Sequence, residues 1–339
     1  MTTRPTVQAG ANDFHAAIQD AHVVALWEMF GGAGGPNPSP EPAFHWPWRV
    51  LGPLMDRAVA EAGMDKAERR VLSLANPAYG RDDYFRATTN LNAGLQILMP
   101  GERARPHRHS MDALRFVVEG HGAATVVDGK RCEMERGDLI LTPAWTWHEH
   151  EHKGKSRVIW LDSLDVPLVM DMDAPFFEPG PAKNFPQLPA DSAFTMAGLV
   201  PSEAMKTAYS PLFRYPWAQA REALAAAPPS EDGSRLLHYV NPVTGGPVLS
   251  RLDCYLLGLS RGKPTRRYRS THNAVCMVIE GSGTTKVGDV TIDWAENDIF
   301  TLPHWSWVSH TAAGEGATIF QSTDRDVMRR LDLLREERA

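Results

Sequence analysis

A disulfide framework, a membrane-spanning segment and a basic nucleic-acid footprint are all missing from this chain. Its three cysteines, Cys132, Cys254 and Cys276, are odd in number and far apart, which excludes a stapled extracellular scaffold and fits a reducing compartment. No apolar run approaches the roughly 18–20 residues of a membrane helix. The opening stretch, MTTRPTVQAGANDFHAAIQD, lacks the basic start and apolar core of a secretory leader, so a cytoplasmic location without membrane contact is expected. Lys and Arg number 35 against 41 Asp and Glu, a net charge of −6, so no nucleic-acid partner is expected. With 43% hydrophobic and 22% charged residues, the composition is that of an ordinary soluble globular protein with a sizeable core. A length of 339 residues suits two domains or one large duplicated one. What the chain has in excess is histidine. Of its 13, six fall in one short stretch: His107, His109, His121, His148, His150 and His152.

Two segments read alike. The first runs PHRHSMDALRFVVEGHGAATVVDG and then GDLILTPAWTWHEH; the second runs RRYRSTHNAVCMVIEGSGTTKVGD and then NDIFTLPHWSWVSH. Glu119-Gly120 matches Glu280-Gly281 at an offset of 161, and Pro143–Trp147 matches Pro303–Trp307 at 160, so one residue is lost between, placed here in the hairpin. Two matched blocks in one order mark an internal duplication. Runs such as Leu114–Val118, Ala124–Val127 and Leu139–Leu141 are short, aliphatic and punctuated by Gly, Asp and Pro, which predicts an all-β sandwich or barrel. Helical patterns are confined to Phe14–Phe30, Pro216–Ala227 and Val327–Arg338. Five prolines in Asp173–Pro189 suggest an extended linker, and Gly31–Pro42 a second break. The expected organisation is a helical N-terminal extension and arm (1–90), a first barrel (91–170), a Pro-rich linker with a short helix (171–247), a second barrel (248–322) and a C-terminal helix (323–339).

Side chains alternate along a strand, so His107 and His109 share one face, and His148 and His150 share another. If both faces line a barrel interior, four imidazoles converge, and imidazole suits Fe, Mn, Zn, Cu or Ni. The second copy is an internal control. There Tyr268, Ser270 and Val308 stand for His107, His109 and His148, while the Gly, Pro and Trp scaffold persists. These three histidines are therefore unnecessary for the fold, which predicts a metal site in the first copy and none in the second. His150 differs, because His310 matches it. His121 and His152 read as surface residues, and the recurring Trp145, Trp147, Trp305 and Trp307 as packing.

The glycine, histidine and proline spacing resembles the two cupin motifs, so the chain resembles a bicupin: two double-stranded β-helix (jelly-roll) barrels with peripheral helices. Where many cupins carry a fourth, glutamate ligand, this chain has Ala113 and Leu114. More closely, HRHSMDALRFVVEG, GDLILTPAWTWHEHEH and VIWLDSLDVPLV resemble the gentisate and salicylate 1,2-dioxygenase family, over about Glu68 to Phe320. The resemblance implies one Fe(II) per chain on His107, His109 and His148, with O2 as co-substrate, a homotetramer, and a small aromatic 2-hydroxy acid as substrate. Three imidazoles leave octahedral iron three positions, two for the substrate carboxylate and hydroxyl and one for O2. The bond broken joins the carboxyl- and hydroxyl-bearing ring carbons.

The same resemblance assigns further candidates. Arg115 lies in an otherwise apolar run, and its planar fork suits a carboxylate. His150 is similar to a family histidine that bonds the substrate hydroxyl and serves as its base. Gln96 resembles a pocket glutamine, and Arg70 is a further candidate anion contact. Asn92 stands where the family usually has Tyr or Trp, which enlarges the pocket. Gentisate and 5-substituted salicylates such as 5-nitrosalicylate are thus the expected substrates, with 1-hydroxy-2-naphthoate as an alternative. A non-oxygenase cupin (isomerase, decarboxylase or ligand-binding protein) is the competing class.

Overall fold

The computed structural model describes residues 9–25, 27, 41–63, 69–80, 82–180, 185, 187–195, 199–203 and 207–339. Most of the Gly31–Pro42 run and the end of the Phe14–Phe30 pattern lie outside them; the helix there spans Ala9–Asp20. Residues Met1–Asn37 form one unit, and Pro38–Ala339 form another that holds both barrels.

The first barrel is two antiparallel sheets face to face. One is ordered Arg214–Tyr215, Leu139–Thr142, Ala113–Glu119, Val158–Leu164, Asn92–Leu98 and Val71–Ser73. The other is ordered Phe177–Pro179, Arg103–His109, His148–His152, His121–Val127 and Lys130–Glu135. Central strands such as Asn92–Leu98 are buried throughout, because one face meets the barrel interior and the other a neighbouring layer. The alternation His148–Glu149–His150–Glu151–His152 instead turns three imidazoles inward and two carboxylates outward. Gly120, in the repeated Glu-Gly pair, has φ +90°, and a Cβ there would sit 2.2 Å from the Arg157 carbonyl oxygen. Gly281 repeats both features, with φ +89° and 2.3 Å to Gly316, so both barrels require glycine at this point.

In the second barrel the corresponding strands bend continuously through both layers, as Ala274–Val287 and Val308–Thr323. One apolar core runs through both barrels, and a second fills the interior of the second barrel. Phe116 stacks on Phe320 with centroids 4.2 Å apart, and Ser163 meets Ser322 at 2.9 Å. Both hairpins are two-residue loops, Asp128-Gly129 and Gly288-Asp289. The expected one-residue loss therefore lies elsewhere, at the bulge where His121-Gly122 stand against Ser282 alone.

A second repeat escapes the sequence reading. Phe44-His45-Trp46-Pro47-Trp48 and Phe213-Arg214-Tyr215-Pro216-Trp217 each form a short strand leading into a helix, Trp48–Glu61 or Trp217–Ala226. Each arm pairs with the barrel it does not precede. His45-Trp46 adds to Ile299–Leu302 of the second barrel, and Arg214-Tyr215 adds to Leu139–Thr142 of the first. Asp298 accepts bonds from His45 Nε2 and Trp48 N at 2.8 and 2.6 Å. Asp138 does the same for Arg214 Nε and Trp217 N, both at 2.8 Å.

Two expectations need correction. The C-terminal helix ends at Arg330, and Glu336–Arg338 is a strand on Tyr268–Ser270. This repeats the first copy, where Val166–Asp171 is followed by the strand Phe177–Pro179. Asp173 and Asp332 adopt φ of 53° and 59°, stopping both helices at matching places. Likewise 171–247 is no free linker, since Phe177–Pro179 pairs with the His107–His109 strand and Arg235–His238 with Asp253–Leu259.

Candidate metal centre and its cavity

His107 and His109 leave one strand on the same side, and His148 lies opposite His107 in the neighbouring strand. One ring nitrogen from each lies within 4.8 Å of the others. All three rings are buried. The Nδ1 atoms are each engaged by a main-chain carbonyl: Arg105 for His107 at 3.1 Å, Met111 for His109 at 2.9 Å and Thr146 for His148 at 3.1 Å. A carbonyl only accepts, so each Nδ1 carries the proton and each Nε2 keeps a lone pair. His148 Nε2 is buried and has no hydrogen-bond partner. Burial pushes His107 down to about 2, helped by the Arg69 charge, and His109 down to about 4. Burial also holds His148 well below the usual imidazole range. Three converging, neutral nitrogen lone pairs in a buried place fit a divalent transition metal. Ala113 and Leu114 are apolar and fully buried, so they add no fourth donor.

Beside the histidines lies a cavity of about 370 Å³, lined among others by Arg69, Asn92, Gln96, Arg115 and Asp162. Arg115 faces Asp162 across adjacent strands. Its Nη1 donates to Thr142 Oγ1 at 2.6 Å, while its Nε lies 3.3 Å from Asp162 Oδ1 without the aim of a hydrogen bond. Burial lowers the Arg115 pKa, opposed by Asp162. Burial raises Asp162 to about 6, against the pull of Arg115 and the bond from Trp160 Nε1. Gln96 Nε2 is buried without a partner. Asn92 is spoken for differently: its Nδ2 donates to the Phe85 carbonyl at 2.8 Å. Ser73 Oγ holds the Tyr84 carbonyl at 2.6 Å. Together they seat the Tyr84 and Phe85 rings, 4.3 Å apart, in the cavity wall.

Arg70 does not reach the cavity. Its guanidinium pairs closely with Glu102, and the adjacent Arg69 lines the wall instead. Arg70 is buried and Arg69 half-buried, on the two residues that lead into Val71–Ser73. His150 is fully buried behind His148, with ring centroids 6.1 Å apart, and stands outside the cavity lining. His152 is no surface residue: Nε2 meets the Ser156 carbonyl at 2.5 Å, and the ring is buried. Trp145 is 53% exposed, with φ +68°, so it is not a packing residue of the core. Asp162 and Arg69 were missed. For Asp162 the signal was available, since an acid in the largely apolar run Val158–Leu164 is as anomalous as Arg115.

The second barrel keeps the frame and changes the chemistry. Tyr268 pairs with Val308 where His107 pairs with His148, and Cys276 opposes Gln321 where Arg115 opposes Asp162. Among the described residues, the three-histidine group is the only cluster of this kind.

A duplicated jelly roll with one three-histidine group among its described residues is a double-barrel cupin with a candidate metal centre. Residues 94–164 match the Cupin domain family. The chain is 35% identical to gentisate 1,2-dioxygenase 1 of Aquipseudomonas alcaligenes, covering 99% of each. It is 37% identical to gentisate 1,2-dioxygenase of a Ralstonia species, over 94% of this chain and 92% of that one. Salicylate 1,2-dioxygenase from Pseudoaminobacter salicylatoxidans, solved as adducts with gentisate, superposes with a TM-score of 0.90 at 30% identity, covering 99% and 96% of the two chains. The chain belongs to the gentisate and salicylate 1,2-dioxygenase family and is an enzyme of that family.

Proposed function

We propose that this protein is an Fe(II)-dependent ring-cleaving dioxygenase of 2-hydroxybenzoates, with gentisate or a 5-substituted salicylate as substrate. One iron per chain sits on His107, His109 and His148. The observation that carries this is the set of three neutral Nε2 donors, without a carboxylate ligand, beside a cavity holding Arg115. Bound iron would supply Lewis acidity and the electrons that activate O2. The chain supplies the rest. Arg115, buried and charged, receives the substrate carboxylate, with Arg69 adding positive potential. Gln96 Nε2 offers an amide donor with no other partner. His150 Nδ1 meets Thr125 Oγ1, whose hydroxyl donates to Met134 Sδ; Nδ1 is then the donor, which leaves the buried, unpartnered Nε2 behind His148 as the base that takes the substrate hydroxyl proton. Arg70 supports Glu102 and takes no part in binding. By likeness to the family, the enzyme is a cytoplasmic homotetramer.

Oxygen uptake by iron-loaded protein, measured with gentisate, salicylate, 5-nitrosalicylate, 5-chlorosalicylate and 1-hydroxy-2-naphthoate, tests the proposal. Uptake stoichiometric with ring loss for at least one substrate is expected. Substrate consumption without oxygen uptake would point to an isomerase or decarboxylase instead.

A further inference from the structure

We infer that the metal-free second barrel positions the imidazoles of the first, through Asp112 and Arg251. This rests on the three-histidine metal site proposed above. His109 and His148 are each oriented by a carbonyl in a turn: Met111 in the turn after the first ligand strand, and Thr146 in the turn before the second. The Asp112 carboxylate binds both turns together. It sits in the first, and its Oδ1 accepts the Ala144 N–H of the second at 2.8 Å. Its Oδ2 accepts Ser250 Oγ–H at 2.5 Å and Arg251 N–H at 3.0 Å, both from the lead-in to the second barrel. The Arg251 side chain then reaches back. Its Nη2 donates to the Ser110 carbonyl, adjacent to His109, at 2.7 Å, and its Nε pairs closely with Asp165. Asp112 and Asp165 are 1% and 0% exposed, and two neighbouring buried carboxylates require the compensating charge.

A simple seam between barrels would look the same in both copies, and it does not. At the matching place in the second barrel stands Asn273, whose Oδ1 accepts His304 N–H at 3.2 Å and whose Nδ2 donates to Asp324 at 3.0 Å. Asn90, from the first barrel, completes that group with Nδ2 on Asp324 at 2.7 Å. Asp324 is buried like its counterpart Asp165, and Glu41 lies near it. What differs is that amides, Asn273 and Asn90, stand where the first barrel has Asp112 and Arg251, and that Arg251 alone of these grips the chain beside a ring of the histidine group. Asp112 and Arg251 are therefore positioning residues, acting on the metal through His109 and His148 and not by contact with it.

Cobalt(II) binding to metal-free protein, by competition with a chelator, separates positioning from mere structure. Asp112→Asn and Arg251→Lys should each weaken cobalt affinity at least about tenfold and alter the visible cobalt spectrum. Asn273→Ala, the control in the second barrel, should lower the melting temperature of the metal-free protein while leaving cobalt affinity within about twofold. If Asp112→Asn fails to fold, Arg251→Lys, which keeps the charge, carries the same test. Parent-like cobalt affinity in the folded variants would overturn the inference. So would an equal loss in Asn273→Ala. Failure of the parent itself to bind cobalt would instead overturn the metal centre, and this inference with it.

Discussion

His150 and Thr125 are hydrogen-bonded across adjacent strands, Nδ1 to Oγ1 at 2.9 Å. His310 and Thr285 repeat the pair at 2.8 Å in the barrel that has no histidine cluster. Both Nε2 atoms are buried without partners. The pair is thus part of the frame, and the first barrel alone sets it beside His148. His150→Ala should lower kcat by roughly 10²–10⁴-fold, the usual contribution of a positioned base. His310→Ala should cost comparable stability and leave kcat unchanged. Steady-state oxygen uptake and thermal melts of both variants check this; equal kcat in the two would remove His150 from the chemistry.

Arg115 is held by Thr142 and faced by Asp162, so its fork is aimed before any substrate arrives. Arg115→Lys keeps the charge and loses the geometry. A charge-assisted bond contributes roughly 1.5–3 kcal/mol, so kcat/KM should fall by about one to two orders of magnitude. Iron content, measured in parallel, should not change.

Asn92 pins the Tyr84–Phe85 lip by its amide. Asn92→Ala releases the Phe85 carbonyl, and the ratio of kcat/KM for 5-nitrosalicylate over salicylate should shift by more than about twofold. Asn92→Tyr both unpins the lip and fills space. Overpacking costs about 1–3 kcal/mol, which should penalise the 5-substituted ring more than salicylate. A ratio that stays constant in both variants would show that specificity is set elsewhere.

The buried imidazoles set a pH dependence for the metal-free protein. His109 and His310 are each lowered to about 4, and His107 to about 2, chiefly by burial. Between those values and the unfolded value of about 6.5, the unfolded chain binds more protons. Stability is therefore fully present above about pH 6.5 and falls as the pH drops toward 4. Denaturant melts at stepped pH should show this slope. Metal binding at pH 6 should release almost no protons, whereas three ordinary histidines would release about two.

Much of this was legible because the chain contains its own comparison. The exchange of His107, His109 and His148 for Tyr268, Ser270 and Val308 sets these three positions apart from the scaffold in the sequence alone. Charge in an apolar strand revealed Arg115, and the same rule applied to Val158–Leu164 would have found Asp162. Arg69 and Arg70 could not be told apart, because adjacent residues in an irregular segment carry no periodicity to say which turns inward. The terminal segment failed for a related reason. Val327, Leu331 and Leu334 have helical spacing, but Asp332 takes a left-handed φ that spacing does not report. Extending the duplication to Asp165–Pro179 would have shown the helix stopping short.

The exchanged arms impose an order on synthesis. Residue 45 leaves the ribosome 253 residues before its partner, Asp298. At roughly 5–20 residues per second, that is a wait of roughly 10–50 s. Meanwhile Leu139–Thr142 has no edge partner until residue 214 emerges. The first barrel therefore gains its outer strand only with residue 214, and the second gains one from a segment made before either barrel. The nascent chain is thus most exposed to misassembly between translation of the first barrel and that of Ile299–Leu302, the strand on which the earliest arm must wait.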